Sequence, residues 1–257
     1  AMKAGFTHYS PVAGIPELRT ALAKKLKTEN SLDYESADIV LANGAKQAVA
    51  NAILSIIDAG DEVIMLAPFW LAYETTVRFA GGTPVVLHSS ISENYKVPAA
   101  RIAAAVTDRT KLLIVNSPCN PSGALWSRAE LEAISAIVLA HPGMMVLSDE
   151  IYEYIVFEGA VTSIGALPGM RDRTITVNGF SKGFAMTGWR LGYAAAVAPI
   201  AKAMMRIQGT ITTGANQFVQ RAAVEALEGP RDAVEAMRLR YKGRRDMVVA
   251  ALKTIRG

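Results

Sequence analysis

Apolar residues fall into two alternating rhythms over most of this chain. Short runs rich in Val, Ile and Leu predict strands at Asp38–Ala42, Glu62–Leu66, Pro84–His88, Lys111–Asn116, Met144–Asp149, Thr174–Asn178 and Leu191–Val197. Around them, apolar positions recurring every three or four residues predict helices at Ile15–Lys27, Lys46–Ile57, Leu71–Phe79, Ser127–Leu139 and Ile200–Ile211. Leu112 to Val115 and Met144 to Leu147 are apolar throughout, which suits strands covered on both faces. Strand and helix in alternation predict an α/β fold on a mostly parallel sheet. Beyond Gly229-Pro230 the alternation ends, and Val234, Met237, Tyr241, Val248, Leu252 and Ile255 keep helical spacing. Residues 1–229 are therefore expected to form one large domain, and 230–257 a helix connecting to a small domain largely outside this chain.

Composition narrows the class. The 257 residues are 51% hydrophobic and 19% charged, too apolar for a disordered chain and enough for a sizeable core. Lys plus Arg, 27, exceeds Asp plus Glu, 23, by a margin that suits an anionic ligand. No basic run interleaved with aromatics points to nucleic acid. The single cysteine, Cys119, excludes an internal disulfide framework and suits a reducing compartment. His8, His88 and His141 are too scattered to hold a metal. No apolar stretch reaches the ~20 residues that cross a bilayer, and no signal peptide is visible. The expectation is a cytoplasmic protein with no membrane partner.

In a parallel α/β sheet, ligands bind beyond the carboxyl ends of the strands. The predicted strands end in chemically useful residues: Asn43-Gly44-Ala45-Lys46, Asn116 through Asn120-Pro121-Ser122-Gly123, Asp149-Glu150-Ile151-Tyr152 and Gly179-Phe180-Ser181-Lys182. Each alone is an ordinary cap, turn or surface residue; their co-occurrence carries the reading. Gly179 to Gly183 also matches G-x-S-x-G, the nucleophile elbow of α/β-hydrolases. In that fold the histidine follows the serine, whereas all three histidines here precede Ser181.

A lysine in such a crevice can form a Schiff base with an aldehyde cofactor, of which pyridoxal phosphate is the common one. Lys182 would hold the aldehyde, and Asp149 would keep the ring nitrogen protonated. Tyr152 and Asn120 are candidates to bond the phenolic oxygen. Gly44, Ala45 and Lys46 open a helix whose free N–H groups and dipole favour a phosphate. Arg190 adds a planar guanidinium fork, and Ser181 a hydroxyl.

Asn120-Pro-Ser-Gly, Asp149-Glu-Ile-Tyr152, and Ser181-Lys182 followed by Thr187-Gly-Trp-Arg190-Leu-Gly192 resemble the signatures of class I/II aminotransferases, pyridoxal-phosphate enzymes of fold type I. Pro11 to Arg19, Asn43-Gly-Ala-Lys-Gln47 and Ala67-Pro-Phe-Trp-Leu-Ala-Tyr73 are similar to the bacterial aspartate aminotransferase branch. The resemblance implies a three-layer sandwich on a seven-stranded sheet, the large domain of that fold. It also implies that Trp70 stacks on the cofactor and contacts substrate, and that Asn120 touches cofactor and substrate carboxylate. Lys46 would recognise an acidic substrate side chain or the phosphate, and Tyr9 would reach the partner's phosphate across a homodimer. Gly179 departs from the pattern, standing where the family often has a phosphate-binding serine. The expected activity is transamination between an amino acid, aspartate first, and a 2-oxo acid. A β-lyase or synthase of the same fold, and a cofactor-binding fragment without activity, are the alternatives.

Overall fold

The computed structural model describes residues 1–255; positions 256 and 257, the end of the expected connecting helix, lie outside them. Seven strands, β1 (Ile39–Ala42), β2 (Glu62–Ala67), β3 (Thr83–His88), β4 (Thr110–Asn116), β5 (Met145–Asp149), β6 (Thr174–Gly179) and β7 (Gly192–Ala195), form one sheet. Their order is β1-β7-β6-β5-β4-β2-β3. The β6-β5-β4-β2-β3 ladders are parallel, and β7 runs antiparallel to both β1 and β6. The helices are α1 (Pro16–Asn30), α2 (Ala45–Leu54), α3 (Ala72–Phe79), α4 (Ala99–Ala105), α5 (Arg128–Ala140), α6 (Ala198–Ile211), α7 (Gln217–Glu228) and α8 (Asp232–Leu252).

Side chains alternate across a strand, so a strand apolar at every position must be covered twice. Val40, Val63, Met65, Leu112 and Ile114 pack with Ala48, Val49 and Ile53 of α2, Val77 of α3 and Met204 of α6. Their neighbours point the other way. Ile39 and Leu41 meet Leu18, Leu22 and Leu26 of α1 and Val219 of α7. Ile64, Leu113, Val115 and Val146 meet Ile102 of α4 and Leu131, Ile134 and Val138 of α5. The result is the expected three layers around a mostly parallel sheet.

Each predicted strand and helix is present, with shifted ends. The strand expected over Leu191–Val197 spans only Gly192–Ala195, because Val197 already caps α6, which carries Pro199 in its first turn. The helix expected to Ile57 stops at Leu54. Helices α4 and α7 were not anticipated. In α4 a run of alanines flanks one buried residue, Ile102. α7 follows α6 directly and packs on α1, interrupting the strand–helix alternation.

One part of the core is polar. Lys25 of α1, 4% exposed, bonds Glu153 Oε1 at 2.5 Å and Asn30 Oδ1 at 2.7 Å. Glu153 also accepts from Asn30 Nδ2 at 2.8 Å and Asn178 Nδ2 at 2.7 Å. Buried Glu150 accepts from Ser148 Oγ at 2.8 Å and Ser163 Oγ at 2.6 Å. This network ties α1 to the turn after β5 and to the end of β6. Among the described residues, no helix is long and apolar enough to cross a membrane, and no group of His, Cys, Asp and Glu could hold a metal ion.

Candidate active site

The parallel ladders bring the carboxyl ends of β2, β4, β5 and β6 to one edge of the sheet, and β1 runs in the same sense. Because β7 is reversed, its first residue, Gly192, sits at that edge too, opposite both Ala42 and Gly179. The turn carrying Arg190 is thereby delivered beside the start of α2. A Cβ on Gly192 would lie 2.3 Å from the Ala45 nitrogen, so the close approach of α2 to β7 requires glycine there.

A cavity of about 270 Å³ opens at this edge. One end is built for an anion. α2 begins with Gly44 at φ +88°, a residue with no side chain to cap the first N–H groups, and Ala45 and Lys46 line the cavity. Arg190 donates from Nη1 to the Thr187 carbonyl at 2.9 Å and from Nη2 to the Asn43 carbonyl at 3.2 Å, which fixes its guanidinium beside that helix start. Ser181, Lys182 and Thr187 line the same cavity.

The other end holds a carboxylate. Asp149, the last residue of β5, is 3% exposed, and burial raises its proton affinity. Two donors oppose that rise: the Tyr73 hydroxyl at 2.6 Å from Oδ2, and the Ile151 backbone N–H at 3.2 Å from Oδ1. Among the described residues, no Lys, Arg or His forms an ion pair with Asp149. Tyr152 lines the same cavity, its hydroxyl pushed up by burial and by the Asp149 charge, and Lys182 Nζ lies 5.7 Å from its ring centroid. The Trp70 ring meets Tyr73 edge-on with centroids 5.5 Å apart, and Lys46 Nζ sits 5.3 Å from the Trp70 centroid.

Of the residues singled out from sequence, Lys182, Asp149, Tyr152, Asn120, Ser181, Arg190, Trp70, Lys46 and Ala45 all line this cavity. Gly44 caps α2 directly behind it. Tyr9 does not line it and is 92% exposed. None of the three histidines lines it, so Ser181 lacks the base an α/β-hydrolase would need there. Sequence reasoning missed Tyr73, Asn116, Ile151 and Thr187. Asn116 Nδ2 donates to the Asp149 carbonyl at 2.9 Å, while its Oδ1 accepts from Asn120 N–H at 2.7 Å. Its place as the last residue of β4 was the available signal.

An amine, a buried carboxylate without a counter-cation and an anion cradle around one cavity are the set of groups that a phosphorylated pyridine aldehyde requires. The family model described as "Aminotransferase class I and II" matches residues 1–257, and the chain belongs to that family, whose members use pyridoxal phosphate. A Petunia hybrida bifunctional aspartate aminotransferase and glutamate/aspartate-prephenate aminotransferase is 45% identical over 261 residues, covering 100% of this chain and 54% of that protein. The Thermus thermophilus aspartate aminotransferase structure with maleate superposes with a TM-score of 0.96 at 42% identity, covering 99% of this chain and 66% of that one. An aromatic aminotransferase from Pyrococcus horikoshii superposes with a TM-score of 0.96 at 40% identity, covering 98% and 69%. The chain spans 54% to 65% of the length of the first curated relatives it matches.

The residues present fit pyridoxal phosphate. Asp149 is a buried anion without a cation, and a protonated ring nitrogen would supply one. A Cβ on Gly44 would come within 2.4 Å of Arg190 Nη2, so the cradle exists because that side chain is missing.

Proposed function

We propose that this chain is the cofactor-binding part of an aminotransferase that exchanges an amino group between an amino acid, aspartate first, and a 2-oxo acid. The observation that carries the reading is the pairing of Lys182 with the buried, cation-free Asp149 around one cavity. Bound pyridoxal phosphate supplies a carbonyl for amine exchange and an electron-poor ring that accepts the electron pair released when the substrate Cα loses its proton. Lys182 would hold that carbonyl carbon and, once displaced by the donor, take the Cα proton and return it. Asp149 would hold the ring-nitrogen proton, and Tyr152 and Asn120 would bond the ring oxygen. Ala45, Ser181 and Arg190 would bind the phosphate, the guanidinium in bidentate fashion. Trp70 would stack on the ring, and Lys46 beside it would meet an acidic substrate side chain. The charge preference of Lys46 and the relatives named for aspartate support aspartate over an aromatic donor.

The same reading takes residues 1–229 as the cofactor domain and 230–257 as the connector, in a cytoplasmic homodimer. The exposure of Tyr9, away from its own cavity, supports a role on the partner's phosphate.

The test is a donor–acceptor panel run beside borohydride reduction and peptide mass mapping. The expected result is a reduced pyridoxyl adduct on Lys182, absent from Lys182→Ala, and glutamate formed from aspartate and 2-oxoglutarate. Pyruvate with ammonia would favour the lyase reading. Adduct without turnover would make the chain a binding fragment, and no adduct at Lys182 overturns the assignment.

A further inference from the structure

A carboxylate deep in protein stays ionised only if donors replace the water it has lost. Asp149 has two such donors among the described residues, and only one is a side chain, the Tyr73 hydroxyl at 2.6 Å. Tyr73 is 1% exposed on α3, so no water competes for that bond. Burial and the Asp149 charge both push the Tyr73 proton affinity well up, so the phenol stays neutral and acts as a donor. Its ring is locked edge-on against Trp70, which fixes the direction from which the hydroxyl arrives.

We propose that Tyr73 is a positioning residue of this cleft, acting through Asp149 to keep that carboxylate ionised and oriented toward the ring nitrogen of pyridoxal phosphate. The proposal rests on the cofactor reading above. It makes α3 a single device: Trp70 at its entrance faces the cavity, and Tyr73 in its first turn grips the acid beyond. The other titratable groups lining the cavity with Asp149 are Tyr152 on the turn after β5, Lys182, Lys46 and Arg190. Cys119, on the loop after β4, lies close enough to act on both tyrosines. None of these donates a hydrogen bond to the Asp149 side chain.

The test starts with the cofactor-free chain. Carbon-13 NMR of the aspartate carboxyls, with the Asp149 signal assigned by its loss in Asp149→Asn, gives the titration midpoint directly. Tyr73→Phe keeps the ring and removes the donor, and should raise that midpoint by about one pH unit, a tenfold gain in proton affinity. Difluorotyrosine at position 73, a stronger donor, should move it the other way and covers the case in which Tyr73→Phe does not fold. Coincident midpoints in all versions overturn the proposal. Pyridoxal phosphate is then titrated across the pH range that spans the measured midpoints. The affinity ratio of the unmodified chain to Tyr73→Phe should widen as pH falls through them, toward the roughly tenfold difference in proton affinity. In an Asp149→Asn background the pH-dependent difference should vanish. A ratio constant with pH, or a pH effect surviving in that background, assigns Tyr73 to packing alone and overturns the proposal. Failure of the unmodified chain to bind pyridoxal phosphate sinks the cofactor reading instead, while the NMR midpoints still decide the role of Tyr73.

Discussion

Gly44 and Arg190 occupy one another's space: a Cβ at position 44 would stand 2.4 Å from Nη2 and 2.9 Å from Cζ of the guanidinium. Gly44 also holds φ +88° and ψ 161°, a region that essentially only glycine enters, at a cost of about 1–3 kcal/mol for other residues. Gly44→Ala therefore strains the backbone and displaces the arginine at once. The expected result is a loss of about 1–3 kcal/mol in urea unfolding, with affinity for pyridoxal phosphate falling more than affinity for pyridoxal, which has no phosphate to cradle. Equal losses for both ligands would detach Arg190 from the anion.

Glu150 predicts a pH dependence of stability. It is 1% exposed, with neutral serines as its donors, and burial chiefly, then the Glu153 charge, push its carboxyl from 4.5 to about 7. A carboxyl raised on folding binds its proton more tightly in the native state, so stability falls as pH climbs from the unfolded to the folded value. The contribution is full below about 4.5, and about 3 kcal/mol of it has gone once the pH passes about 7. Glu150→Gln imitates the protonated form. Chemical denaturation should find it equal to the parent near pH 5 and more stable at pH 8, by about 1–3 kcal/mol. A constant difference across that range would contradict the buried, titrating carboxyl.

The sheet was legible because short apolar runs such as Leu112 to Val115 alternate with stretches of helical spacing, and the site was legible through strand ends. Asp149, Lys182 and Asn120 sit where the strand-end rule directs attention, and Arg190 joins them because β7 reverses. Tyr73 was not legible as a site residue. It lies in an amphipathic helix and reads as core, which it also is; only its hydroxyl, placed by the packing of α3 on the sheet, meets Asp149. The buried Lys25–Glu153 pair was equally hidden, since a lysine in α1 and a glutamate 128 residues away read as solvated charges until the chain folds.

Asn116 joins two parts of the site with one side chain. Removing it with Asn116→Ala leaves the part-buried Asn120 N–H without this partner, while the Asp149 carbonyl keeps a second donor, the Ser117 N–H at 3.1 Å. A donor left unpaired costs about 1–3 kcal/mol when no water replaces it. The expected outcome is a drop of about 1–3 kcal/mol in stability. Pyridoxal phosphate affinity should fall with it, because the loop carrying Asn120 is released from β4. Asn116→Asp keeps the acceptor for Asn120 and loses the donor to Asp149, so it should recover the loop contact but not the second. Isothermal titration beside urea unfolding separates the two.

The ion pair between Lys25 and Glu153 stands behind the turn that presents Asp149 and Tyr152. Both side chains are nearly dry, at 4% and 8% exposure, with 2.5 Å between Nζ and Oε1. Breaking such a pair from one side leaves a buried charge without its counter-charge, which costs about 3–5 kcal/mol. Lys25→Met should produce that loss, and the Glu153 carboxylate, left to Asn30 and Asn178, should pull on the end of β6 next to Lys182. Lys25→Met with Glu153→Gln removes both charges while the amide oxygen still accepts from one asparagine. The double variant should therefore recover at least half of the single variant's loss, a coupling that a thermodynamic cycle reads directly. Additive losses would mean that the two residues act separately.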